Sequence, residues 1–210
     1  MIDFVSIDIE TTGLDRDNHQ ILEIGAVSFR WDPNDLRKGI RDAYFHGYIK
    51  WETIIGDPIA LCNNTKAGIM QACLDHGQSP LIVMREFHEW LLKQGKKSER
   101  SGEIKVIAAG KNFEAFDLQF LKKGWEHVGM PRAADVFRHR VLNPAGYYCR
   151  TDDVMPPSLD DCCKRAGVQR KLHTALEDAE AVCDLLEIAV QVGLWVFVDS
   201  NLTLEPKEGR

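Results

Sequence analysis

At 210 residues, with 44% hydrophobic and 28% charged residues, the chain has the size and make-up of a single globular domain with an ample core. No apolar run approaches the roughly 20 residues that a membrane-spanning helix needs, and no secretory signal precedes the first strand, so a cytoplasmic protein with no membrane partner is expected. Six scattered cysteines without a Cys-x-x-Cys pair exclude a disulfide framework and a zinc cluster, and the net charge of −6 counts against ligands that demand a broad basic face.

Strands are expected near 3–9, 22–30 and 42–50, separated by Gly and Asp-Pro-Asn turns, which makes the first three an antiparallel meander. At the end of the first, Asp8-Ile9-Glu10 puts two carboxylates on one face, because alternate side chains of a strand point the same way. Carboxylates held side by side repel unless a cation sits between them. Thr11-Thr12-Gly13 ends the strand and brings backbone N–H groups close to whatever that cation holds, a pattern suited to a divalent metal and a phosphate-bearing substrate. A helix is expected over about 66–76, after the polar Asn63-Asn64-Thr65. A stronger one should run from Ser79-Pro80 to Gln94-Gly95, with Ser as cap and Pro at the first position.

Lys96–Glu103 is a charged loop, and Ile104–Ala109 reads as a buried strand. Gly110-Lys111-Asn112 leads from it into an amphipathic helix, on which Phe113, Phe116, Phe120 and Leu121 recur at helical spacing and Asp117 lies in the first turns. Asp135–Val141 is expected to form a fifth strand and 143–157 a long loop containing Tyr147 and Tyr148, followed by helices near 158–166 and 174–192. His173 and Asp178 are five positions apart, about 140° around an ideal helix, so both cannot face one site from within it. His173 therefore belongs in the loop ahead of the last helix and Asp178 one turn inside, where the short Ala175 and Ala179 allow close approach to neighbours. The chain reads as one domain over 1–195 with a tail over 196–210.

These three segments, in this order, resemble the three motifs of the DEDDh (DnaQ-like) 3′–5′ exonucleases, the family of the proofreading subunit of bacterial replicative polymerases, RNase T and oligoribonuclease. The motifs are Asp8-x-Glu10 with Thr-Thr-Gly, Asn112-x-x-x-Phe116-Asp117, and His173 followed five positions later by Asp178. The resemblance spans about residues 3 to 190. One departure is Lys111, where many relatives carry His, and it bears on substrate contacts and not on metal chemistry. The implied fold is α/β and ribonuclease H-like: a mixed five-stranded sheet, three antiparallel strands then two parallel, with helices on both faces.

The resemblance also implies roles. Asp8 would bridge two ions, Glu10 and Asp178 would complete the first site, and Asp117 would support the second. Oxygen ligands without a Cys/His cluster point to Mg²⁺ or Mn²⁺. Two such ions about 3.5–4 Å apart can activate water and hold the leaving 3′ oxygen, and His173 would be the general base. Thr11 and Thr12 would engage the terminal nucleotide through backbone groups, Leu14 would wedge against its base, Phe116 would stack on a base or pack in the core, and Asn112 would contact substrate. The expected activity is release of nucleoside 5′-monophosphates from the 3′ end of a single strand, with DNA slightly favoured over RNA. The alternatives are a 3′–5′ exoribonuclease of the same chemistry and a non-catalytic domain that binds nucleic acid or a polymerase. Basic stretches at Lys96–Arg100, Lys164-Arg165 and Arg170-Lys171 read as solvated loops before they read as a binding patch. Residues 31–65, Trp31 and Trp51 included, exceed a minimal domain and offer a surface for a homodimer or a polymerase partner.

Overall fold

The computed structural model describes residues 2–35, 38–170 and 173–202, with side chains as far as 193. The meander forms as expected. Strands β1 (Phe4–Thr11), β2 (Ile21–Trp31) and β3 (Gly39–Tyr48) pair antiparallel in sequence order. Helices α1 (Pro58–Lys66), α2 (Ile69–His76) and α3 (Pro80–Gln94) follow, then a two-stranded ribbon of β4 (Lys96–Lys97) and β5 (Ile104–Lys105). Strand β6 (Ala108–Ala109) joins the main sheet parallel to β1, giving the order β3-β2-β1-β6. The remaining helices are α4 (Asp117–His127), the short α5 (Ala145–Tyr148), α6 (Leu159–Ala166) and α7 (Ala175–Leu202). Helix α7 runs past residue 195, and residues 203–210 of the expected tail lie outside the described residues. Among the described residues no helix is long and apolar enough to cross a membrane.

The period-two alternation of β1 decides the layers. Val5, Ile7 and Ile9 bury into a cluster with Met84, Phe87, Leu121 and Trp125 of α3 and α4. Phe4 joins the opposite cluster with Val182, Cys183 and Leu186 of α7, and the buried Ser6 lies beside Cys183 there. The larger core is built on rings: Phe87 and Trp125 stack at 5.9 Å with their planes 7° apart, and both are wholly buried. Each such side chain contributes about 1.5–3 kcal/mol by leaving water.

Several expectations change, and the strand expected over 104–109 is one of them: Ile104–Lys105 belongs to the ribbon and Ala108–Ala109 to the main sheet. The helix expected over 66–76 is the shorter α2, and the polar Asn63-Asn64-Thr65 expected to precede it lies in a separate helix, α1; Gly68 at φ 80° breaks the chain between them. The run expected to open the second-motif helix is a turn. Asn112 takes φ 60° and its carbonyl accepts the N–H groups of Ala115 and Phe116, so α4 begins at Asp117 itself. The sheet has four strands, not five, because residues 133–136 form a 3₁₀ turn and the segment after it touches the sheet only at two parallel bridges, Val106↔Phe137 and Ala109↔Leu142. Five steps of chain on one side face three on the other, and the exposed Arg138, His139 and Arg140 loop out to water between the bridges.

The approach of α7 to the sheet is set at Gly25, which pairs with Asp8 in the β1–β2 register. A methyl group there would stand 2.2 Å from the Leu176 nitrogen and 2.3 Å from the Ala175 carbonyl carbon. Gly25→Ala should lower stability by about 1–3 kcal/mol in chemical or thermal unfolding, because backbone must move to admit one methyl. An unchanged melting temperature would show that α7 does not seat on this residue.

Candidate active site

Asp8 and Glu10 extend from β1 on the side of Phe4 and Ser6, the face that α7 covers. Helix α7 presents Asp178 to them, and carboxylate oxygens of Asp8, Glu10 and Asp178 all lie within 4.8 Å of one another. Asp117 arrives from the other layer, at the first position of α4, where the helix dipole favours an acid. Its Oδ1 accepts the backbone N–H of Ile9 at 3.2 Å, which ties α4 to the β1 segment between Asp8 and Glu10. His173 stands in the loop before α7, exposed, and its Nδ1 accepts an N–H of Arg170 at 2.8 Å.

Crowding of acids shows in their proton affinities. Burial pushes Asp8 well above the usual carboxylate range, and Asp117, Asp178 and Glu10 add to the rise while Arg170 opposes it. Glu10 is pushed up to about 8, first by burial and then by Asp178 and Glu23. Burial raises Asp117 to about 7, against the Ile9 hydrogen bond. Asp178 rises to about 6 by burial, held down by Arg170 and His173. Each acid thus gains if a positive charge is supplied.

Beside these acids lies a cavity of about 260 Å³, with Glu10, Thr11, Leu14, Asn63, Phe116 and His173 on its wall. Leu14 is 84% exposed and also borders a second cavity of about 250 Å³, which Phe116 shares. Phe116 packs on Phe120 with ring centres 4.9 Å apart, at the edge of the core, and also lines both cavities. Two other residues differ from expectation. Thr12 is wholly buried, its N–H donates to Gln20 and its C=O accepts from Asp57, so its backbone is already engaged in the loop. Asn112 is absent from either wall; its backbone shapes the turn and its Oδ1 accepts from Lys111 Nζ at 2.9 Å. A larger cavity of about 450 Å³ lies between Trp51, Met84, Lys123 and His127 and borders none of the four acids.

The sequence model of a family described as RNase T, exonuclease, matches residues 5–186. The chain belongs to the RNase T exonuclease family. It is 25% identical to ribonuclease T of Vibrio parahaemolyticus serotype O3:K6 (strain RIMD 2210633) over 215 residues, 94% of this chain and 91% of that protein. Among solved structures it resembles exonuclease I of Methylocaldum szegediense, with a TM-score of 0.67 and 15% identity over 96% of this chain and 43% of that one. It also resembles E. coli exonuclease I solved with zinc and single-stranded DNA, with a TM-score of 0.67 and 16% identity over 93% of this chain and 42% of that one. The chain thus spans less than half the length of these exonuclease I chains.

Three further residues of this RNase T-family site were not singled out in the motifs. Arg170, classed with a basic loop, has a side chain only 9% exposed and lies against Asp178 and His173. Its position three residues before His173 was the available signal. Glu23, opposite Glu10 in register, is wholly buried; it accepts the first N–H of α7 from Ala175 at 3.2 Å and meets His46 Nε2 at 2.7 Å. An acid inside the apolar run Ile21-Leu22-Glu23-Ile24 marked it in the sequence. Asn64 is buried and donates to the Thr11 carbonyl at 3.0 Å, pinning α1 to the end of β1. Nothing in Asn63-Asn64 distinguishes that residue from its neighbour before folding.

The donor set suits a hard divalent cation. All three grouped side chains offer carboxylate oxygen. Asp178 Oδ1 is buried and makes no hydrogen bond among the described residues, and the charge beside it is the Arg170 guanidinium, whose Nη2 lies 2.5 Å away as an ion pair.

The raised affinities fix the sign of a pH effect. Glu10, Asp117 and Asp178 hold protons in the folded state, with values of about 8, 7 and 6, that the unfolded chain releases near its ordinary carboxylate range. The folded state therefore binds more protons over this window, and its stability falls as pH rises. With divalent cations chelated, the melting temperature should decline from pH about 5 to about 8, and Mg²⁺ should flatten the decline. A melting temperature that climbs across that window in chelator would contradict the arrangement.

Proposed function

We propose that this protein is a divalent-cation-dependent 3′–5′ exonuclease that shortens single-stranded nucleic acid and releases nucleoside 5′-monophosphates. The observation that carries this reading is the meeting of Asp8, Glu10 and Asp178 beside one cavity whose wall includes His173. Asp8, Glu10 and Asp178 would hold the ions, with Asp117 in support through the contact it makes at Ile9. Mg²⁺ or Mn²⁺ at these oxygens would supply Lewis-acid charge for the phosphate and make bound water a better nucleophile. His173 would take the proton of the attacking water, a role for which an imidazole is suited near neutral pH.

The cavity walls support a strand end as substrate. At about 260 Å³ the space beside Glu10 is small for a ligand site, suiting one nucleotide and not a duplex. The exposed Leu14 between the two cavities would separate the last base from the one before it. Phe116 would stack on a base, worth about 1–3 kcal/mol and indifferent to base identity. Family membership supports attack from the 3′ end. The single-stranded DNA held by the exonuclease I structure supports an unpaired substrate, and the ribonuclease T relative keeps RNA beside DNA as a candidate.

The direct test uses end-labelled DNA and RNA strands of matched sequence with Mg²⁺, Mn²⁺ or chelator. A ladder shrinking one nucleotide at a time from the 3′ end supports the proposal; internal cuts, or cleavage undiminished by chelator, refute it. Asp8→Ala should abolish hydrolysis. His173→Ala should slow it by roughly 10²–10⁴-fold while strand binding stays nearly unchanged. Substantial turnover by the Asp8 variant would rule out the proposed ligand set.

A further inference from the structure

Arg170 is placed where it touches two groups that the proposed reaction needs at once. Its Nη2 lies 2.6 Å from Asp178 Oδ2 and 2.5 Å from Asp178 Oδ1, and 2.8 Å from His173 Nδ1. Its Nη1 donates to Asp160 Oδ1 at 2.7 Å, which anchors the guanidinium to α6. A guanidinium donates and never accepts, so His173 Nδ1 must be the acceptor in this contact. A neutral imidazole accepting at Nδ1 carries its hydrogen on Nε2. Neither ring nitrogen then has a free lone pair, and the imidazole cannot take a proton from water while the contact lasts. A protonated His173 could not make this contact at all, since both of its nitrogens would be donors.

The same guanidinium lies on the carboxylate that Asp8 and Glu10 approach. A divalent cation drawn to Asp178 would meet a resident positive charge a few ångströms away, in a buried place where water screens little. We infer that Arg170 is a latch: it holds Asp178 and His173 together with the imidazole unable to act as a base, and a divalent cation competes with it for Asp178 and frees His173. This inference rests on the metal-centred reading of the site and adds to it. Arg170 acts through Asp178 and His173 and is a positioning residue. Cation binding and readiness of the base are thereby coupled, so His173 is armed only when the acids are neutralised.

Two measurements on the full chain test the latch. Imidazole-labelled NMR of the wild type, at a pH where His173 is neutral, should show the Nε2–H tautomer with an engaged Nδ1 in chelator, and a shifted His173 Nδ1 signal once Mg²⁺ is saturating. Calorimetric titration with Mg²⁺ should give an affinity for Arg170→Gln at least about fivefold tighter than wild type, as expected when a competing partner is removed. Arg170→Lys, which keeps the competing charge, should stay within about twofold of wild type. Weaker or equal Mg²⁺ binding by Arg170→Gln would overturn the latch and leave Arg170 as plain scaffolding. Should that variant not fold, the wild-type NMR decides alone: a His173 signal unmoved by saturating Mg²⁺ sinks the latch while leaving the metal centre standing. Failure of the wild type to bind Mg²⁺ at all would sink the proposed function together with the latch.

Discussion

Mutual repulsion among buried carboxylates is the constraint around which this molecule is organised. Asp8, Glu10, Asp117 and Asp178 converge with Arg170 as the one cation in contact with any of them among the described residues; burial pushes each toward its protonated form, and for Asp8 and Glu10 the neighbouring acids push further. Such a cluster opposes folding unless something holds it together. The holding is done by parts of the fold that bear no negative charge themselves: the alternation of β1, the missing side chain at Gly25, and the backbone turn at Asn112 that starts α4 at Asp117. A site that is locally unfavourable and globally enforced is the usual signature of chemistry rather than of packing.

Glu23 shows how the enforcement reaches beneath the surface. Its carboxylate receives the first N–H of α7 and is met from β3 by His46, while the Tyr48 hydroxyl hydrogen-bonds it. The three residues link β2, β3 and the start of α7 directly under the segment that carries His173 and Asp178. A helix start whose N–H groups are satisfied by a buried acid is fixed in angle as well as in place. Asn64 does the equivalent at the other end of the cavity, holding α1 to the last residue of β1.

The charge balance of the chain takes on a different meaning once its cations are located. Arg165 is bound to Asp153 at 2.6 Å and to the Tyr148 carbonyl at 2.7 Å, anchoring the loop after α5, and Arg170 is turned into the acid cluster. Lys96 pairs with Asp3 on the ribbon side of the sheet. Lys96, Arg165 and Arg170 thus serve internal contacts, and the net charge of −6 counts against non-specific attraction of a phosphate backbone. On the proposed function, grip on a strand would fall to cavity walls such as Phe116 and Leu14 and to cations held by the acids.

Much of this was legible before folding. Period-two alternation placed Asp8 and Glu10 on one face, and helical spacing placed His173 in a loop and Asp178 inside a helix, because those inferences need only local geometry. The three antiparallel strands, α3 with its Ser79-Pro80 start, and α6 followed from equally local signals, and the cysteines are free, with four of the six buried. What the sequence left open depends on non-local competition. A charged Arg138-His139-Arg140 looks tolerable in a strand until its neighbours are known, and water claims it instead of the sheet. Phe113 and Phe116 have helical spacing, yet Phe113 is drawn to Phe137 before the helix begins. Asn64 carried no signal in the sequence, Glu23 and Arg170 carried only their positions, and the closing of α7 and α1 onto the sheet made all three partners of the site. Local periodicity names the acids, but long-range contact decides which charges they must share space with, since a side chain's electrostatic surroundings exist only after the chain has folded.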